Sequence, residues 1–385
     1  MHVLIVPSWY PVRDNPIRGV FFKEQALALQ KNGFKVTVAF PEIWSIKSIG
    51  KNKETKGFHL NVEDGIRTYR YKSYNYFPRV PHVQGRLYLN FLRKLYNHVV
   101  ENEGKPDIIH AHSALWGGWA ATKISEKSHI PLLITEHSSA YDRDMIKPYQ
   151  EKYINYTFNI SRKVIVVGPS LERQIQKYVN KEKIKLIPNI VNIDNFKIGT
   201  IKKNTKRFRF LSIGFLSYNK GMDVLLKSFA RAFKNKEEVE LIIGGDGEEF
   251  ENLISLAKEL GIFQQVRFLG RLTREEVYAE MHKCDAFVLA SRFETFGVVF
   301  IEALACGKPI ISTKSGGPEI IVNKSNGVLV EKENTHELAI ALKDIYKNNK
   351  NYSPSLIRKK CEEAFSEKAI VDQIARIYKE ILNAY

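Results

Sequence analysis

The chain has 385 residues, more than one core of ordinary size serves, so two domains are expected. A hydrophobic content of 44% excludes a disordered chain, and no uninterrupted apolar run approaches the roughly 18 residues that a membrane span requires. The formal net charge is +17, with 11 basic against 4 acidic residues in 41–100, which points to anionic partners: nucleic acid, anionic lipid or phosphorylated ligands.

The opening "MHVLIVPSWYP" lacks the charged and small-residue flanks of a signal peptide and reads as a first β-strand. A helix over 19–33 follows, closed by Gly33. Then come the apolar strands "KVTVAF", "PDIIHAH", "PLLITEH" and "KVIVVGP", with helical stretches between them. Continuous apolar strands alternating with helices predict a parallel sheet covered on both faces. The Pro-, Asn- and Lys-containing stretch 184–208 reads as a linker. A second series starts at "FRFLSIG", with helices predicted over 221–234, 247–260, 273–283 and 297–306 and strands between them. "EKAIVDQIARIYKEILNAY" closes the chain as an amphipathic helix. The expected architecture is α/β, two doubly wound Rossmann-like domains facing one another across a cleft: 1–195, 196–365, and a final helix over 366–385 that returns to the first. Ligands in such sheets bind beyond the carboxyl ends of the strands. Cys284, Cys306 and Cys361 form no CxxC pair, so they suggest neither a disulfide framework nor a thiolate zinc site and fit a reducing cytoplasm.

Two carboxylates stand out in "SRFETFGVVFIEALACGKPII" (291–311). Glu294 falls in the loop after a strand, at the start of a helix whose exposed amides suit an anion, and Glu302 falls along that helix. They can receive sugar and ribose hydroxyls; equally, they are a helix-start charge and a solvated glutamate. "ETFGVVFIE", followed by "SGGPEII" (315–321), resembles the Glu-x7-Glu segment of the retaining glycosyltransferases of family 4, which have the GT-B fold. "IGFLSYNKGMDVLLKSF" (213–229), "LIIGGDGEEFENL" (241–253) and "RFLGRLTREEV" (267–277) are similar to further elements of that family, and the likeness runs through nearly the whole chain.

The resemblance implies a catalytic set of Glu294 on the donor sugar, Lys220 on the diphosphate and His137 beside the transferred sugar. It implies donor contacts from Gly19, Gly214, Gly245, Gly270, Arg271, Phe296, Gly297, Val298 and Glu302, the last on the ribose. His112 and Arg18 fall on the acceptor side. Where the family carries an arginine for the diphosphate this chain has Phe215, so Arg292 and Arg18 are candidates to replace it. His110, His112 and His137 also invite a metal reading; the family pattern accounts for them without one, and no metal and no cofactor are expected. The resemblance further implies a nucleotide-sugar donor of UDP or GDP type and a glycan or lipid-linked acceptor of surface polysaccharide synthesis, with the protein expected in the cytoplasm and peripherally at the inner face of the membrane. The region 65–100 interleaves Arg and Lys with Tyr, Phe and Leu, and its latter part reads either as a basic amphipathic helix on an anionic membrane surface or as a solvated face over ordinary core aromatics. A basic nucleic-acid-binding protein is the alternative of another class, although no nucleic-acid-binding module is visible. A GT-B-like epimerase or phosphorylase is the other alternative.

Overall fold

The computed structural model describes residues 1–50, 53–199 and 207–385. They form two compact units: Met1–Val167 with Leu171–Ile190 and Ile370–Tyr385, and Gly168–Ser170 with Val191–Ala369. The basic end of the expected linker, 200–206, lies outside the described residues.

The sheet of the first unit contains β1 (His2–Pro7), β2 (Lys35–Ser45), β3 (Gly57–Glu63), β4 (Ile66–Asn75), β5 (Ile108–His112), β6 (Leu132–Glu136), β7 (Lys163–Val166) and β8 (Ile184–Leu186). Their spatial order is β3-β4-β2-β1-β5-β6-β7-β8. All neighbours are parallel except β3 and β4, which form an antiparallel hairpin at one edge. That hairpin departs from the expected all-parallel sheet. Its cause is Asp64–Gly65: both residues have positive φ, and Glu63 pairs with Ile66, which makes a two-residue turn.

Helices α1 (Val20–Lys31), α2 (Pro81–Glu103), α3 (Trp119–Ser128), α4 (Pro148–Ile160) and α5 (Pro169–Ile175) fall between strands. Tyr88, Leu89, Leu92, Leu95 and Val99 of α2 are buried while Arg86, Arg93 and Lys94 are exposed, so the apolar stripe of this basic helix is used in the protein's own core.

The second sheet is wholly parallel, in the order β11-β10-β9-β12-β13-β14. Its strands are β9 (Phe208–Ile213), β10 (Val239–Gly244), β11 (Val266–Phe268), β12 (Ala286–Leu289), β13 (Ile310–Thr313) and β14 (Gly327–Val330). The helices here are α6 (Met222–Phe233), α7 (Phe250–Glu259), α8 (Arg274–Lys283), α9 (Val298–Ala305), α10 (Thr335–Asn348) and α11 (Pro354–Phe365). Leu211, Leu225, Phe229, Leu241, Phe287 and Phe300 are fully buried in this unit.

The last helix, α12 (Glu367–Asn383), carries an Ile/Tyr stripe. From Ile370 onward it belongs to the first unit, where Ile374, Tyr378 and Ile381 join Val3, Ile5, Phe22 and Val38 in one core.

Each sheet has a point where the chain, having added strands on one side, returns to add them on the other: between β1 and β5, and between β9 and β12. The carboxyl ends of strands at such a point leave a crevice for ligands.

Candidate active site

In the second unit, β9 leads through Gly214 and Phe215 into a single tight turn, Tyr218–Lys220, and then into α6. Gly221 starts that helix at φ 60, and a Cβ there would lie 2.0 Å from the carbonyl oxygen of Ala290, so only glycine lets the turn close against the end of β12. The turn lays the stem of Lys220 against Gly214. Lys220 Nζ then donates to Glu294 Oε2 at 2.6 Å, and Ser291 Oγ donates to the same oxygen at 3.4 Å. Both charged side chains are partly exposed, at 24% and 12%.

The loop that bears Glu294 is braced from β13. The Glu294 amide donates to Ser315 O at 3.0 Å, and the Glu319 carboxylate accepts from the Gly316 amide at 2.9 and 3.0 Å. Gly297, at φ 92, then starts α9; a Cβ there would strike the Phe300 ring and crowd Glu294. No side chain caps α9, which leaves the amides near Val298 open to an anion or to sugar oxygens. Phe296 packs its ring against Phe365 and is buried, so it serves the core. Gly245 and Gly270 end the two neighbouring strands, and the Gly245 amide donates to Gly270 O at 2.7 Å. Arg271 follows as an exposed cation.

Glu302 sits one turn along α9, only 1% exposed. Its Oε1 accepts from Arg274 Nη1 at 2.5 Å, while Oε2 has no hydrogen-bond partner among the described residues. The Arg274 guanidinium lies 5.0 Å from the Phe196 ring centre and 5.6 Å from that of Tyr278. Sequence reasoning stopped at Gly270 and Arg271 and missed Arg274. The available signal was its place in the first turn of a helix, right after the Thr273 cap, where a cation opposes the helix dipole.

Arg292, a candidate replacement for the arginine that Phe215 displaces, is committed elsewhere. It meets Asp223 through two bonds of 2.9 Å, also pairs with Glu333, donates to Tyr218 O, and lies 3.8 Å over the Tyr218 ring. Burial raises the Asp223 pKa, but the hydrogen bonds from Arg292 outweigh it and hold the carboxyl below its ordinary value. Arg292 therefore staples the Lys220 turn in place rather than offering a free phosphate clamp. Phe215 is 59% exposed.

In the first unit the crevice between β1 and β5 is lined by neutral groups. Ser8 Oγ donates to His112 O at 2.8 Å and accepts from the Gly117 amide at 2.9 Å. His112 Nδ1 and His137 Nε2 lie 3.2 Å apart across the ends of β5 and β6. Phe21 and Phe22 of α1 pack on His137 at 5.0 and 4.8 Å between ring centres. Burial lowers His137 to about 3 and His112 well below its ordinary value, so both are neutral at pH 7. His137 Nδ1 and His112 Nε2 are buried without partners among the described residues. Both nitrogens of His110 are taken, by Tyr378 and Thr135 at 2.6 Å. Among the described residues no three His, Cys, Asp or Glu side chains converge to hold a metal ion. Gly19 is buried at the N-cap of α1, and Arg18 is exposed beside it.

Glu136 is the residue that sequence reasoning missed here, although it stands directly before His137. Its carboxylate accepts from the amides of Ala114, His137 and Ser138 at 2.8–2.9 Å and from Tyr141 at 3.3 Å. It thereby sets the paths of the two loops that carry the histidines.

Both halves of the chain match known families. Residues 19–195 match Glycosyltransferase Family 4, and residues 193–367 match Glycosyl transferases group 1. A glycosyltransferase of Methanocaldococcus jannaschii is 28% identical over 345 residues, 87% of this chain and 93% of that protein. Sucrose-phosphate synthase from Thermosynechococcus elongatus has the same fold, with a TM-score of 0.79 at 20% identity over 100% of this chain and 99% of that one. Anabaena HepE, solved in complex with UDP and glucose, gives 0.74 at 20% identity over 98% and 99%. The chain belongs to the glycosyltransferases of group 1 and family 4, of the GT-B type.

Proposed function

We propose that this glycosyltransferase is a metal-independent hexosyltransferase that takes a sugar from a UDP- or GDP-type donor. It passes the sugar, with retention, to a glycan or lipid-linked acceptor of surface polysaccharide synthesis, at the cytoplasmic face of the membrane. The observation that carries the reading is the Lys220–Glu294 pair at the β9/β12 crevice, beside the uncapped start of α9. An ammonium and a carboxylate held together and partly exposed match the two halves of a nucleotide sugar: diphosphate for Lys220, hydroxyls for Glu294. A neighbour solved with UDP and glucose supports the same class of donor.

The chemistry breaks the bond from the anomeric carbon to a diphosphate oxygen and forms a bond from that carbon to the acceptor oxygen. The acceptor proton goes to the leaving phosphate. Negative charge grows on the diphosphate, where Lys220 and the α9 amides stabilise it in advance. Retaining hydrolases pair two carboxylates about 5 Å apart, one as nucleophile. Here Glu302 is buried against Arg274, which suits the donor ribose and not nucleophilic attack. Attack and departure on the same face then account for retention. His137, which the family resemblance assigns to the transferred sugar, is neutral, and its buried Nδ1 has no partner among the described residues.

The test is turnover with a panel of UDP-, GDP- and ADP-sugars, reading the anomeric configuration of the product by NMR. A product with the donor's anomeric configuration, formed in the presence of a chelator, is expected. An inverted product overturns the mechanism, and abolition by chelator overturns metal independence.

A further inference from the structure

The large apolar residues that the basic segment exposes lie somewhere other than on α2. β1, in register with β2 at Ile5 and Val38, stops at Pro7, whereas β2 and β4 continue side by side to Ser45 and Asn75. The excess is about five residues, so a two-stranded ribbon projects roughly 16 Å beyond the carboxyl end of β1. Trp44 and Tyr74 stack edge to face along it, with ring centres 5.2 Å apart.

Segments 46–50 and 76–80, which follow the two strand ends, expose large apolar residues. Ile46, Ile49, Tyr76, Phe77 and Val80 are 37%, 54%, 52%, 62% and 46% exposed. Exposed large apolar residues scattered singly need no account, but five on two adjoining loops form a patch, and such patches mark interaction surfaces. Exposed Lys47, Lys53, Lys56 and Arg79 surround them. The acids of this end are already neutralised: Glu54 by Lys72, and Glu42 by Arg70. An apolar tip with exposed cations in the same segments is complementary to a bilayer surface that carries anionic headgroups.

We infer that the tip of the β2–β4 ribbon inserts into an anionic membrane surface and docks the first unit there. This deepens the membrane part of the function proposed above and is independent of the donor chemistry. Helix α2 is the weaker candidate, because its Tyr88, Leu89, Leu92, Leu95 and Val99 stripe is buried in the protein's own core.

Flotation of the full chain with phosphatidylcholine vesicles, with and without phosphatidylglycerol, tests it. Binding to the anionic vesicles at low salt, weakened by high salt, is expected. Phe77→Ser combined with Val80→Ser should reduce binding more than about ten-fold. Arg79→Gln should reduce it on the order of five-fold. The thermal shift on adding a nucleotide sugar should stay as in the wild type in every variant. No flotation of the wild-type chain overturns membrane docking itself. Flotation that the tip variants leave unchanged overturns only the assignment to the ribbon, and equal binding to neutral vesicles overturns the role of the cations.

Discussion

The two sheets place different chemistry at equivalent points. At the crevice of the second sheet, each functional carboxylate holds a cation: Glu294 with Lys220, and Glu302 with Arg274. At the crevice of the first, three imidazoles are buried and neutral, and the one carboxylate, Glu136, is occupied by backbone amides. The Lys220–Glu294 pair of the second site is partly open to solvent and available to a ligand, whereas Glu302 and the polar groups of the first are buried. Substitutions in the second unit should therefore cost activity, and those in the first should cost stability.

The largest expected effect is in the second unit. Lys220→Ala and Glu294→Ala should each lower the transfer rate on the order of 10²–10³, as loss of a prearranged electrostatic contact does. Their melting temperatures should stay close to wild type, because partly exposed pairs contribute little to folding. Wild-type turnover in either variant removes that residue from the mechanism. In the first unit the sign of the comparison reverses. Glu136→Ala strands two buried amides and a half-buried one and should destabilise the protein by about 3 kcal/mol, read from chemical denaturation. A change below 1 kcal/mol would mean that water replaces the carboxylate.

Arg274→Ala is intermediate, since it leaves Glu302 buried and unpaired. It should cost on the order of 1–2 kcal/mol in stability and raise the donor KM more than it lowers kcat. Arg274→Lys should recover most of the stability.

The histidine cluster of the first unit adds a graded effect, a pH dependence of stability. Burial lowers the folded-state pKa of His110 and His137 to about 3, against 6.5 in the unfolded chain. Below pH 6.5 the unfolded state binds protons that the folded state refuses. Stability is then fully present above that pH and is lost as the pH falls toward 3, by about 1.4 kcal/mol per unit for each histidine. A melting temperature that stays flat from pH 7 to 5 would contradict neutral burial of these rings.

Much of this was legible in the sequence. Helices expected over 221–234, 247–260 and 273–283 appear as Met222–Phe233, Phe250–Glu259 and Arg274–Lys283, because apolar spacing and glycine boundaries are local signals. The β3–β4 hairpin was equally local, in Asp64–Gly65, but 41–100 was read for its charge and 65–100 for a basic amphipathic helix, not for a turn. Pairings across distant segments were not legible. Nothing near Arg292 in the chain announces Asp223 or Glu333, and that network decides that Arg292 cannot take the place of the missing phosphate arginine. Nor could the sequence tell that α2 buries its apolar stripe, since an amphipathic pattern is the same whether a core or a membrane covers it.

The account depends most on Lys220 and Glu294 forming the seat of a nucleoside-diphosphate sugar. Calorimetric titration of the wild-type chain and the two alanine variants with UDP- and GDP-sugars addresses it directly. Saturable binding of one donor to the wild type, weakened at least ten-fold by Lys220→Ala and also by Glu294→Ala, is the predicted result. Equal affinity in all three proteins, or no binding of any nucleotide sugar to the wild type, would contradict it.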